Sequence, residues 1–199
     1  MRQETRPNAS WARAHPAISA LLAIGAAIAA ASVLVAIHRR AEDRRHGWSG
    51  GAAWIWYARA GKKPAPLRFW AEREIALDRV PEQVEATFLV DPEFVLYVNG
   101  RRVDAGSGRP GDALRAVNLA PDLVPGVNRV LIEASSPDGV GGILFRAEGA
   151  GLAPGALDSG SSWRVALDRD ELERGGGRPA VVWGRPPQSP WGYPRTQSR

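Results

Sequence analysis

Between residues 84 and 147 the chain reads as short runs of alternating apolar residues cut by two tight-turn sequences, and this pattern restricts the fold more than any other feature. Phe94, Leu96 and Val98 alternate with Val95 and Tyr97, the period of two that sends successive side chains to opposite faces of a strand. Asn99-Gly100 follows, and both residues tolerate the positive φ that a type I′ hairpin needs at its two central positions. At Pro125-Gly126 the proline presets φ for the first central position and the glycine accepts the positive φ of the second, which is type II turn chemistry ahead of a strand at 128–134. Further strand-like stretches at 54–57, 67–77, 84–90, 93–99, 101–103, 114–119, 142–147 and 162–167 alternate with Gly, Pro, Asp and Asn clusters. That spacing predicts an all-β sandwich. A short acidic helix is expected at 168–174, and the Gly- and Pro-rich stretch from Gly175 predicts extended, polyproline-like backbone.

Residues 17–37 form 21 consecutive positions without a charge, enough helix to cross about 30 Å of hydrocarbon. This predicts one transmembrane helix before the sandwich. A cleaved signal peptide is the alternative, with Arg2, Arg6 and Arg13 as its basic region and Ala29 to Ala31 as the cleavage box. Against it, the apolar run continues six residues beyond that box and stops at His38-Arg39-Arg40. Gly25 and Ala29, with Ala26 and Ala30 beside them, make small-xxx-small pairs on which two such helices could self-associate. Three arginines precede the span and Arg39, Arg40, Arg44 and Arg45 follow it, a near-even balance that leans toward a cytoplasmic sandwich.

The charge is uneven. Residues 1–46 hold seven arginines against three acids, whereas 47–199 hold nineteen basic residues against eighteen. The globular part therefore lacks the concentrated positive field of a phosphate binder, and no nucleic-acid partner is expected. With no cysteine, disulfides and thiolate metal sites are excluded. His15, His38 and His46 all lie outside the predicted sandwich, which leaves it no histidine for a catalytic triad or a metal.

Several phrases carry a family likeness. They are Tyr97-Val-Asn-Gly100, then Leu123-Val-Pro-Gly-Val-Asn-Arg-Val130, with Trp54-Ile-Trp56, Ser162-Trp163-Arg-Val165 and Pro190-Trp191-Gly192 around them. Together, over roughly residues 52–194, the chain resembles the galactose-binding-like jelly-roll β-sandwich superfamily, in particular the non-catalytic sandwich domains of α-L-rhamnosidases and other glycoside hydrolases. The resemblance implies a jelly-roll sandwich that binds carbohydrate and is not an enzyme, since in rhamnosidases the catalytic acids sit on a helical barrel with no counterpart here. It also implies an extracytoplasmic sandwich, which decides the topology against the slight charge lean. The partner is then a carbohydrate or, on the rival reading, an envelope protein held by the same sandwich; no cofactor is implied.

The expected organisation is a tail at 1–16, a transmembrane helix at 17–37, a juxtamembrane linker at 38–51, the sandwich at 52–174 and a tail at 175–199 packing on it. Within the second strand, alternation puts Phe69, Ala71 and Ile75 on one face, and Trp70 with Arg68, Glu72 and Glu74 on the other. A tryptophan beside carboxylates can stack on the C–H face of a pyranose, so Trp70 and Glu72 are the candidate sugar-contacting residues; a lid over the tail is the structural alternative for Trp70. Trp54, Trp56 and Trp163 are expected in packing roles, with Trp54 and Trp56 on one strand face, and Trp191 as an anchor of the tail. Glu72 with Glu74, Asp91 with Glu93, and the acids at 168–171 read as solvated carboxylates rather than a glycosidase pair.

Overall fold

The computed structural model describes residues 16–45, 50–58 and 65–195. Almost all of the expected N-terminal tail and the centre of the expected linker, with His15 and His46, lie outside the described residues. The chain divides into two compact units, Met1–Arg45 and His46–Arg199.

In the first unit, α1 (Pro16–Arg45) runs for 30 residues. Its Ala, Leu and Ile content favours helix, and Pro16 takes the first position, where a missing N–H costs nothing. The Ser32 hydroxyl donates to the carbonyl of Ile28 at 2.8 Å, so this polar group is satisfied within the helix. The stretch Ala20–His38 has a mean hydropathy of 2.6 with none of it buried, long and apolar enough to span a membrane.

The second unit is a sandwich of two antiparallel sheets. Its strands are β1 (Trp54–Trp56), β2 (Leu67–Leu77), β3 (Glu85–Asp91), β4 (Glu93–Val98), β5 (Arg101–Ser107), β6 (Arg115–Asn118), β7 (Gly126–Ser136), β8 (Gly142–Glu148), β9 (Arg164–Ala166), β10 (Arg178–Pro179) and β11 (Val181–Gly184). One sheet has the order β11-β1-β8-β3-β6 and the other β10-β9-β2-β7-β4-β5. Between them lie Trp56, Phe69, Phe88, Phe94, Leu96, Ile132, Phe145 and Trp163, all buried. The rings interlock: Phe88 meets Phe94 edge-on at 5.4 Å and Phe145 stacked at 5.7 Å, and Phe145 leans on Trp163 at 5.4 Å. At the open side Asp104 on β5 and Arg115 on β6 form a two-point ion pair at 2.8 Å that links the edge strands of the two sheets. Burial works against the Asp104 carboxylate, but its bonds from Arg115 and from the Ala105 N–H prevail and hold its pKa below the ordinary value.

Asn99 and Gly100 occupy the β4–β5 turn with φ of 50° and 82°. The Asn99 amide also ties this turn to its neighbour, donating to the carbonyl of Asp122 at 2.8 Å and to Oδ1 of Asn128 at 2.9 Å. Asn128 is fully buried and donates in turn to the carbonyls of Val124 and Gly126. These bonds close the Pro125-Gly126 turn, where Gly126 has φ 95°. Gly100→Val should therefore lower stability by about 1–2 kcal/mol, the cost of forcing a side chain into left-handed backbone, read as a shift in the urea midpoint. An unchanged midpoint would mean that the turn relaxes to another type.

Two expectations about the strands are corrected. The tail beyond Gly175 is not polyproline-like throughout, because β10 pairs with β9 and β11 pairs with β1 in the sheets. Trp54 and Trp56 do not share a face either: the register with β11 shifts between Trp54 and Ile55, and such a bulge re-aims the side chains around it. Trp56 joins Ile55 in the core, while Trp54 belongs to a second cluster with Leu89, Leu114, Leu144 and Trp191.

Candidate functional site

On the outer face of the six-stranded sheet the register sets a lattice. Trp70 of β2 lies between Ala166 of β9 and Glu133 of β7, with Val95 of β4 next in the row. One row along come Arg164, Glu72, Leu131 and Tyr97. Trp70 and Tyr97 thus sit diagonally across β7, and their rings lean together over Leu131 with centroids 6.0 Å apart. Both are partly exposed. The rim is charged: Arg68 pairs with Glu133, and Arg169 of α2 (Arg169–Glu173) lies 5.6 Å from the Trp70 ring while pairing with Glu173 at 2.8 Å. Helix α2 is placed by its N-cap, where the Asp168 carboxylate accepts from the Asp170 N–H, and by Leu172, buried against Leu131 and Ala166. This is an amphipathic aromatic pair with donors and acceptors around it.

Glu72 shares that face but does not reach solvent. It is 1 % exposed, with Arg164 at 2.5 Å on one oxygen and Arg129 at 2.9 Å on the other. Arg164 is itself fixed by the carbonyls of Gly175 and Gly176 at 2.6 and 2.9 Å, and Arg129 reaches Glu74 at 3.0 Å. Strand alternation is right about the side and silent about the cover. The segment after β9 folds back over Glu72, so the expected pairing of Trp70 with an open carboxylate is replaced by Trp70 with Tyr97, Arg68 and Arg169. Tyr97 was detectable in the sequence once β2, β7 and β4 are set side by side; Arg169 was not, because the path of the loop is not periodic.

The outer face of the other sheet is closed by the chain itself. On β8, Ile143, Phe145 and Ala147 face the core, and the opposite side is covered as well, since Leu144 is fully buried and Arg146 nearly so. Trp191 of the tail stacks on Trp54 with ring centroids 4.4 Å apart and an interplanar angle of 19°, and Trp183 meets it edge-on at 6.4 Å. The Trp191 indole N–H donates to Asp91 at 2.8 Å. Burial raises the pKa of Asp91 above its ordinary value, opposed by that hydrogen bond and reinforced by Asp138 and Asp112.

A cleft of about 480 Å³ lies between residues 50–51 and 147–158. Its wall is Leu152 and Pro154, with no aromatic side chain, and both of its acids serve the fold: Asp158 accepts from the Gly51 N–H at 2.8 Å and Glu148 pairs with Arg146. Burial lowers the pKa of Arg146, with Asp158 opposing the shift. Among the described residues no group of three metal-ligating side chains comes together.

No protein-family model matches the chain, and no curated protein matches it in sequence. Solved structures do. A rhamnosidase of the GH78 family from Bacillus sp. GL1 superposes with a TM-score of 0.62 at 19 % identity, over 74 % of this chain and 20 % of that one. The α-L-rhamnosidase of Streptomyces avermitilis, solved with L-rhamnose, gives 0.61 at 16 % identity, over 74 % and 16 %. The lectin of Pleurotus ostreatus, solved with GalNAc, gives 0.54 at 22 % identity, over 73 % and 47 %. The domain shares their β-sandwich fold. The chain spans less than half the length of each of these proteins, and at such identities the likeness concerns the fold. On that sandwich fold, the exposed aromatic pair and the occupied Trp54 face are built from this chain's own residues.

Proposed function

We propose that this protein is a membrane-anchored, non-catalytic carbohydrate-binding module, with the sandwich on the extracytoplasmic side and the outer face of the six-stranded sheet as its sugar platform. The observation that carries the proposal is the partly exposed Trp70–Tyr97 pair, rimmed by Arg68, Glu133 and Arg169. An aromatic face meets the C–H face of a pyranose, and charged groups at the rim direct its hydroxyls. The fold supports this reading, since a rhamnosidase solved with L-rhamnose and a lectin solved with GalNAc both share it. Glu72 acts here through Arg129 and Arg164, holding the sheet face rigid, and Trp70 is the residue that touches sugar. The envelope-protein reading asks for a continuous apolar patch. Among the described residues the exposed apolar side chains are spread apart: Val127 lies beside Ala76 at one end of β2, whereas Val140 follows β7 at the other.

The test is a glycan array probed with the full-length protein in detergent. Trp70→Ala should weaken binding by about 1–3 kcal/mol, the scale of one buried aromatic contact, with little change in stability. Loss of stability with no glycan bound by either protein would make Trp70 a packing residue and favour the envelope-protein reading. Anchoring is tested separately. The protein should stay in the membrane fraction after carbonate extraction, and protease added outside spheroplasts should remove the sandwich; a soluble species beginning near Ser32 would establish the cleaved signal instead.

A further inference from the structure

The tail residue Trp191 occupies its site in the way a ligand would. Its indole lies 4.4 Å from the Trp54 ring and nearly parallel to it, Trp183 closes one side edge-on, and Asp91 accepts its N–H at 2.8 Å. The floor is cut to admit a flat ring: a Cβ on Gly142 would come within 2.7 Å of the Trp191 ring and 2.8 Å of the Trp54 ring. An aromatic platform with a carboxylate acceptor on its rim suits a pyranose, whose C–H face stacks and whose hydroxyl donates. One feature favours a polyol over the indole now present. Among the described residues the buried Trp54 indole N–H has no hydrogen-bond partner; a sugar carries oxygen acceptors and an indole carries none.

We propose that the Trp54 slot is a second saccharide site, one for a neutral pyranose, plugged in cis by the Pro190-Trp191-Gly192 segment. The proposal rests on the carbohydrate reading above and adds to it a site whose affinity is set by the tail. A ligand that competes with an intramolecular plug binds with its affinity reduced by the fraction of molecules in which the slot is open. Beyond the ring, the backbone of this segment is tied to the sheet side by the Leu114 N–H on the carbonyl of Arg195 at 2.8 Å, while the Gly192 N–H on that of Gln188 at 2.8 Å closes the strap on itself.

The experiment titrates the full-length protein with methyl pyranosides of galactose, N-acetylgalactosamine, rhamnose and glucose, all in a Trp70→Ala background so that the sheet platform is silent. Trp191→Leu should raise affinity for at least one of them tenfold or more. A second variant covers the case in which that protein does not fold: Pro190→Gly with Pro194→Gly leaves every slot residue in place and loosens the strap through backbone entropy, and should raise affinity about threefold or more. A folded variant that binds no sugar better than its parent overturns the plug. If the protein with Trp70 intact binds glycans while the slot variants gain nothing, only this inference falls. If no protein in the set binds any saccharide, the carbohydrate reading falls with it.

Discussion

Glu72→Ala should lower the stability of the sandwich by about 3 kcal/mol. Removing one member of a buried ion pair costs about 3–5 kcal/mol, because the partner charge stays behind without compensation. Here two partners stay behind. The Arg129 and Arg164 side chains keep 31 % exposure each, so water can solvate part of what Glu72 leaves, and the lower end of that range applies. For a domain of this size about 3 kcal/mol corresponds to roughly 6–12 °C in melting temperature. Glu72→Gln separates charge from shape: it keeps the side chain and one acceptor, and should fall between wild type and alanine. A loss under about 1 kcal/mol for alanine would show that the two arginines are solvated without the carboxylate, and that the loop over β2 does not depend on it.

The same residue shows where sequence reading reaches its limit. Alternation along β2 places Glu72 and Trp70 on one face and Phe69, Ala71 and Ile75 on the other, and the register agrees. Period-two alternation depends only on neighbouring residues, as do the positive-φ turns at Asn99-Gly100 and Pro125-Gly126. What covers Glu72 depends on Arg164, 92 residues away, and Trp191 meets Asp91 across 100 residues. Such contacts leave no local pattern. The shift in β1 was hidden for a related reason, since a bulge is set by the partner strand and not by the three residues Trp54-Ile-Trp56. In the tail, proline and glycine content points to polyproline-like backbone and obscures Val181-Val182-Trp183, whose β-prone residues form the edge strand on β1.

Trp191→Ala should have the largest effect of any single substitution considered, a loss of about 3–5 kcal/mol, the cost of truncating a buried aromatic to alanine. The side chain is 4 % exposed and fills the space between Trp54, Trp183 and the outer face of β8 and β3. Its loss leaves Leu89, Leu114 and Leu144 facing a cavity or water. It also strips the half-buried Asp91 carboxylate of its indole donor, and because burial already raises that pKa, the group becomes still harder to ionise. Trp191→Phe isolates the two contributions. Phenylalanine keeps a stacking ring and lacks the N–H, so it should cost about 1.5–3 kcal/mol, the range for a hydrogen bond to a charged group. Equilibrium urea unfolding of all three proteins in the same detergent reads the difference. If alanine costs no more than phenylalanine, ring burial contributes little and the tail is held by its backbone ties and by β11 alone. If both cost less than about 1 kcal/mol, the tail lies off the sheet much of the time, and the Trp54 face is open without any ligand.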